Sequence, residues 1–375
     1  MRSEAQEEFF LAPGLTLLNH ASYGLTSRRV AAHADRIRQE IESDPTVYLG
    51  QHLTERLREL TAEVATALTL PATGTTLCAN ATSAAAAIVS SLPLGSDSTV
   101  IVLDTEYSSI LRAWEQRCRQ VGADLIRIPV RIPFTGPHQL LADLDELVPG
   151  TVSYLQFSLI SSSTAIRFPI EPLLAWARAR GGRTVLDAAH GPGHVPLAPG
   201  LSNVDAMFGT LHKWFPSLRP VGFLWLSEDL IDVVRPAEVS LTWDSADLVG
   251  RFSWPGTFDP VPRLSLDEAL TQHCGWLTAG AFTRCEDLSA ASVPLLADLG
   301  AIPTTTDAYA PPRMRAFTLD GVTVSEVKAS MSRAGIRVWC GPGADGSTIL
   351  RIATHVYTDQ ADLELLCAQL KETLP

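Results

Sequence analysis

The 375-residue chain carries 41 acidic against 29 basic side chains, a formal net charge of -12, with 46% hydrophobic and 19% charged residues. That balance excludes an intrinsically disordered chain and disfavours nucleic acid or an anionic membrane as partner. Its length exceeds what one hydrophobic core ordinarily fills, so two lobes are expected. The six cysteines (78, 118, 274, 285, 340 and 367) include no CxxC pair, so neither a disulfide framework nor a metal site is expected. The opening MRSEAQEEFFLAPG lacks the apolar core of a signal peptide and no run reaches transmembrane length, which places the expected location in the cytoplasm.

Residues up to about Pro13 read as a mobile arm or an entry helix. An apolar run then gives way to Asn19-His20-Ala21-Ser22-Tyr23-Gly24, with Thr26 or Ser27 placed to cap a helix. Apolar spacing from Val30 to about Leu70 predicts two helices broken near Asp44-Pro45. Cys78-Ala79-Asn80-Ala81-Thr82-Ser83 opens an alanine-rich helix, whose exposed N–H groups and positive dipole end would suit an anion. Thr99–Leu103, Leu125–Ile128 and Val152–Phe157 read as strands separated by helices, the pattern of a parallel sheet. Glu171–Arg180 reads as a helix closed by Gly181-Gly182.

Three short apolar runs follow: Thr184–Leu186 ending on Asp187, Val204–Phe208 leading to Gly209-Thr210-Leu211-His212-Lys213-Trp214, and Val221–Leu226. An acid and a lysine thus fall at strand ends, where ligands bind in open α/β sheets. A carboxylate can keep a pyridine nitrogen protonated and a lysine can form an imine with an aldehyde, although a lone Asp–Lys ion pair is more often structural. From about Leu264 the pattern becomes α+β: a helical run LSLDEALTQHCGWL, alternation near Met314–Phe317 and Ile336–Cys340, a strand Thr348–Tyr357, and a last helix DQADLELLCAQL.

The run DAAHGPGHVPL followed by D-x-x-x-x-T-x-HKW resembles the class V aminotransferase family of pyridoxal phosphate (PLP) enzymes, most closely its isopenicillin N epimerase-like branch, which is related to the cysteine desulfurases. The resemblance implies an α/β fold of the aspartate aminotransferase type (fold type I), with a mostly parallel seven-stranded sheet and a smaller α+β C-terminal lobe. We divide the chain accordingly into an N-terminal segment (1–20), a large PLP-binding domain (21–262) and a small domain (263–375). The resemblance further implies roles. Lys213 would carry the cofactor as a Schiff base and move protons at the substrate Cα. Asp187 would pair with the pyridinium nitrogen, His190 would reach the ring oxygen, and Tyr107 would stack on the ring. Ala81, Thr82, Thr210 and His212 would hold the phosphate, with Thr257 of Gly256-Thr257 reaching it from a second subunit of a homodimer. Ser162 would contact cofactor or substrate, Arg351 would take the substrate carboxylate, and Asn19, His20 and Tyr23 would stand at the mouth.

These residues leave the broken bond open. The expected reaction is β-elimination at an S-substituted cysteine, of the carbon–sulfur lyase type. Epimerisation of the isopenicillin N kind, decarboxylation, oxidative deamination and transamination are alternatives, as is a PLP-binding regulatory protein without turnover. Cys340 lies near the position where desulfurases carry a sulfur-accepting cysteine, but the loop that follows is short and lacks a neighbouring histidine.

Overall fold

A computed structural model describes residues 4–197 and 203–375. The first three residues of the N-terminal segment and residues 198–202 of the central stretch lie outside the described residues.

Seven strands form the main sheet: β1 (Thr75–Cys78), β2 (Thr99–Leu103), β3 (Asp124–Ile128), β4 (Tyr154–Ser158), β5 (Arg183–Asp187), β6 (Ala206–Thr210) and β7 (Gly222–Leu226). Their spatial order is β1-β7-β6-β5-β4-β2-β3, and only β7 runs against the rest. Alternation along each strand feeds two cores, one on each face. Ile101, Leu103, Leu155, Phe157 and Leu186 pack under the helices Leu53–Leu68, Pro137–Leu147 and Ile170–Arg178. Val100, Val102, Val185, Phe208 and Leu224 pack under Ala81–Ser91 and Ser108–Val121. Burial on both faces explains why these strands read as continuous apolar runs, each such side chain contributing roughly 1.5–3 kcal/mol.

The second lobe is an antiparallel sheet of β8 (Ile302–Pro303), β9 (Met314–Leu319), β10 (Trp339–Pro342) and β11 (Thr348–Ala353), in the order β10-β11-β9-β8. Helices Ala281–Ala297, Val324–Arg333 and Gln360–Thr373 contribute to the core behind it. The seven-stranded sheet with its smaller lobe is the expected architecture.

Several local expectations are corrected. The opening segment is not a mobile arm: it enters through one helical turn, Glu4–Glu7, after which Phe9 is fully buried against Trp276, His355 and Tyr357. Thr16–Leu17 then pairs in parallel with Ile336–Arg337, fastening this segment to the second lobe. The closing strand ends at Ala353, four residues before Tyr357. Beyond it Thr354 N–H donates to the Arg313 carbonyl, and Thr358 N–H closes a turn on His355. Strand β1 went unrecognised because four residues, two of them threonine, offer no periodicity. Helix Ala281–Ala297 was hidden by an internal Pro294 and scattered hydroxyls.

Candidate active site

The carboxyl ends of β4, β5 and β6 bring Ser158, Asp187 and Thr210 to one edge of the sheet. A cleft opens there, walled also by Ala81, Thr82, Tyr107, His190, His212, Lys213, Ser162, Tyr23 and Arg351. The structure therefore collects on one cleft residues spread over more than 300 positions of sequence.

One end of the cleft is the start of the helix Ala81–Ser91. Asn80 caps it, its side chain accepting from Ser83 N–H at 2.9 Å, which leaves the turn at Ala81 and Thr82 facing the cleft with the positive dipole end. Gly222 makes this placement possible, because a Cβ there would lie 2.6 Å from the Asn80 carbonyl carbon.

At the centre Lys213 Nζ stands 3.2 Å from His190 Nε2. Desolvation lowers the lysine amine from its ordinary 10.5 to about 8, partly offset by the negative charge of Asp187. Burial also pushes His190 well below its usual value, with Lys213 and Arg351 adding to the effect, so the imidazole is neutral. Its Nδ1 is buried with no hydrogen-bond partner among the described residues. Asp187 accepts the Ala189 N–H at 2.7 Å, and burial raises its carboxyl above the ordinary carboxylate range. His212 turns Nδ1 toward the Val221 backbone, 2.9 Å from its carbonyl oxygen. Thr210 makes only a long contact of 3.4 Å with the Ala189 carbonyl.

The lysine's backbone is fixed from the other side. Gly24 has φ +65°, and a Cβ on it would sit 2.0 Å from the His212 carbonyl oxygen and 2.8 Å from that of Lys213, so only glycine fits.

The far end of the cleft is Arg351, buried on β11. Its guanidinium donates to Asn19 Oδ1 at 3.0 Å, to Ser22 Oγ at 2.8 Å and to the Ser162 carbonyl, and lies 5.3 Å over the Trp339 ring. Among the described residues no carboxylate pairs with it, and Nε has no partner. Burial lowers this arginine to about 9. A desolvated cation held by neutral acceptors suits an anionic ligand.

Not every expected residue reaches the cleft. His20 is buried behind it, 2.8 Å from the Tyr357 hydroxyl and stacked on His355 at 3.8 Å, so it packs rather than faces a ligand. Asn19 acts through Arg351. Thr257 is exposed on a loop and does not line the cleft within one chain. Conversely, Ser22, Ser158, Ile160 and Trp339 line the cleft without having been singled out. Ser22 lies inside the HASYG run and Trp339 directly before Cys340, so proximity to noted motifs was the available signal.

The arrangement fits PLP. A depressed lysine amine, a buried acid, a helix start for a phosphate and an imidazole nitrogen with no partner among the described residues surround one cleft.

Comparison with known proteins agrees with this chemistry. The family model for Aminotransferase class-V matches residues 43–366. Isopenicillin N epimerase of Amycolatopsis lactamdurans is 27% identical, over 99% of this chain and 98% of that protein. Two solved structures share the fold. Apo cysteine desulfurase from Thermococcus onnurineus NA1 has a TM-score of 0.83 at 16% identity, covering 99% of each chain. The cystine C–S lyase C-DES, in complex with its product cysteine persulfide, has a TM-score of 0.82 at 20% identity, covering 97% of this chain and 99% of that one. Among the described residues no helix is long and apolar enough to cross a membrane.

Proposed function

The chain belongs to the class V aminotransferase family and is a PLP-dependent enzyme acting on amino acids; from its cleft we propose that it performs β-elimination on an S-substituted cysteine. When bound, PLP supplies an electron sink for charge developing at the substrate Cα. The residues of this chain do the rest. Ala81 and Thr82 would hold the phosphate at the helix start, with Thr210 and His212 beside it, and Asp187 would keep the ring nitrogen protonated. His190 would hydrogen-bond the ring oxygen, and Tyr107 would cover the ring. Arg351, steadied by Asn19, Ser22 and Ser162, binds the substrate carboxylate as a planar fork. Fixing that carboxylate would orient the substrate and so select the Cα bond to be broken.

Lys213 then takes the Cα proton, the Cβ–S bond breaks, and sulfur leaves as a thiolate. Addition of water to the remaining fragment gives pyruvate and ammonia. The observation carrying this reading is that Lys213 is the only amine lining the cleft among the described residues. Elimination needs one base on one face, whereas inversion needs an acid on the opposite face as well.

Epimerisation is the second reading, favoured by the near full-length likeness to isopenicillin N epimerase. Tyr23 or Tyr107, both on the cleft and more than half exposed, would then deliver the second proton. We propose that the enzyme works as a homodimer in which Thr257 reaches the neighbouring phosphate.

Incubating the holoenzyme with cysteine S-conjugates in deuterium oxide separates these readings. Pyruvate and ammonia in equal amounts support elimination. Cα deuterium with inversion and no pyruvate supports epimerisation and overturns the lyase assignment.

A further inference from the structure

Behind Asp187 lies a second carboxylate that the proposed chemistry does not use. Glu106 sits in the turn after β2, is almost wholly buried, and accepts from Ser158 Oγ at 2.8 Å and from Gln156 Nε2 at 3.1 Å. Gln156 is held in turn by the Trp114 indole, which donates to its Oε1 at 3.2 Å. Ser158 ends β4 directly opposite Asp187 on β5, and both line the cleft. One hydroxyl therefore stands between Glu106 and the strand end that carries Asp187.

Two buried carboxylates this close do not both ionise readily, because each would lose water and face a like charge. Asp187 has the better claim to the charge, since it alone of the two feels the Lys213 amine. Glu106 has only neutral donors. Among the described residues, Asp187 is the titratable group that acts on it; β4 offers Gln156 and Ser158, and the helix Ser108–Val121 offers Trp114.

We propose that Glu106 is a positioning residue for the cofactor: held as a neutral carboxylic acid against Ser158, it leaves Asp187 as the only anion at the ring nitrogen. In this form the acid donates to Ser158 Oγ, and the serine hydroxyl rotates away toward the cleft; hydroxyl hydrogens reorient freely to suit such a change. Loss of water, with the neighbouring Asp187 adding to it, raises Glu106 to about 8, so the neutral form holds at neutral pH. Cofactor seating excludes water further and favours the neutral acid, so the cofactor is held less tightly once Glu106 ionises. The inference rests on the proposed placement of the ring nitrogen at Asp187.

The test is the dissociation constant of PLP from the wild-type and Glu106→Gln enzymes between pH 6 and 9.5, read by visible absorption. Lys213 titrates in the same range in both proteins, so the reading is the ratio of their constants. Wild type is expected to loosen severalfold relative to Glu106→Gln, a neutral mimic, across an inflection near pH 8, the two matching within about threefold at pH 7. A ratio that stays flat across this range, or a tenfold weaker affinity of Glu106→Gln at pH 7, overturns the inference. Should that variant not fold, Ser158→Ala removes a contact that stabilises the ionised form and should move the inflection to higher pH; an unmoved inflection overturns the proposal. Absence of any visible band in the wild type with PLP would instead overturn the assignment of the cleft itself, so the two failures are told apart.

Discussion

Lys213 Nζ and His190 Nε2 meet at 3.2 Å, and burial keeps the imidazole neutral beside the amine. The histidine thereby orients the lysine without competing with it for charge. Replacing Lys213 by Ala should abolish the visible band of lysine-bound cofactor and lower turnover by about 10²–10⁴-fold or more, the scale of losing a positioned base. Activity within tenfold of wild type would sink the mechanism.

The pH response follows from the sign of the lysine shift. Burial lowers the amine to about 8, so its neutral, nucleophilic form grows as pH rises through that value. The rate at which apoenzyme takes up PLP should therefore increase from pH 6.5 to 9 and then level. His190 stays neutral throughout, so no second inflection from it is expected in this range. A rate that falls with rising pH would contradict the assignment, as stopped-flow absorption would reveal.

Arg351 is held by Asn19, Ser22 and Ser162 with no carboxylate partner, leaving its charge for the substrate. Arg351→Lys keeps a cation but loses the planar fork. Steady-state kinetics should show KM raised about 10- to 100-fold, the equivalent of ~1.5–3 kcal/mol for a charge-assisted hydrogen bond, with cofactor absorption unchanged.

Gly222→Ala would place a methyl 2.6 Å from the Asn80 backbone, forcing the helix Ala81–Ser91 off β7. The expected cost is about 1–3 kcal/mol of stability, typical of overpacking, seen as a lower midpoint in denaturant unfolding. Affinity for PLP should fall as well, because the displaced helix start is the proposed phosphate seat.

Cys340 lies buried on β10, its thiol pushed up to about 11 by burial. A thiol that stays protonated is a poor sulfur acceptor. Cys340→Ser should retain wild-type turnover with a cysteine S-conjugate; loss of more than tenfold with the fold intact would point to persulfide transfer instead.

The sheet was legible because buried parallel strands leave unbroken apolar runs, and Asp187, Thr210 and Lys213 follow such runs directly. The motif around Lys213 also made the cleft's central residues readable. His20 misleads because its neighbours Ser22 and Tyr23 face the cleft, while the imidazole at the start of the same short helix packs against Tyr357 and His355 in the core. Glu106 was passed over because a lone acid after a strand looks ordinary until Ser158 and Gln156 are seen to enclose it. The role proposed for Thr257 needs a second subunit, which neither composition nor periodicity describes.

The grip of Arg351 on Asn19 joins residues 332 positions apart. A contact of such separation exists only when both ends of the chain are brought together. The proposed carboxylate clamp is therefore built from the two ends of the polypeptide, and a chain whose opening segment has come away from β11 loses the oxygen atoms that steady the guanidinium.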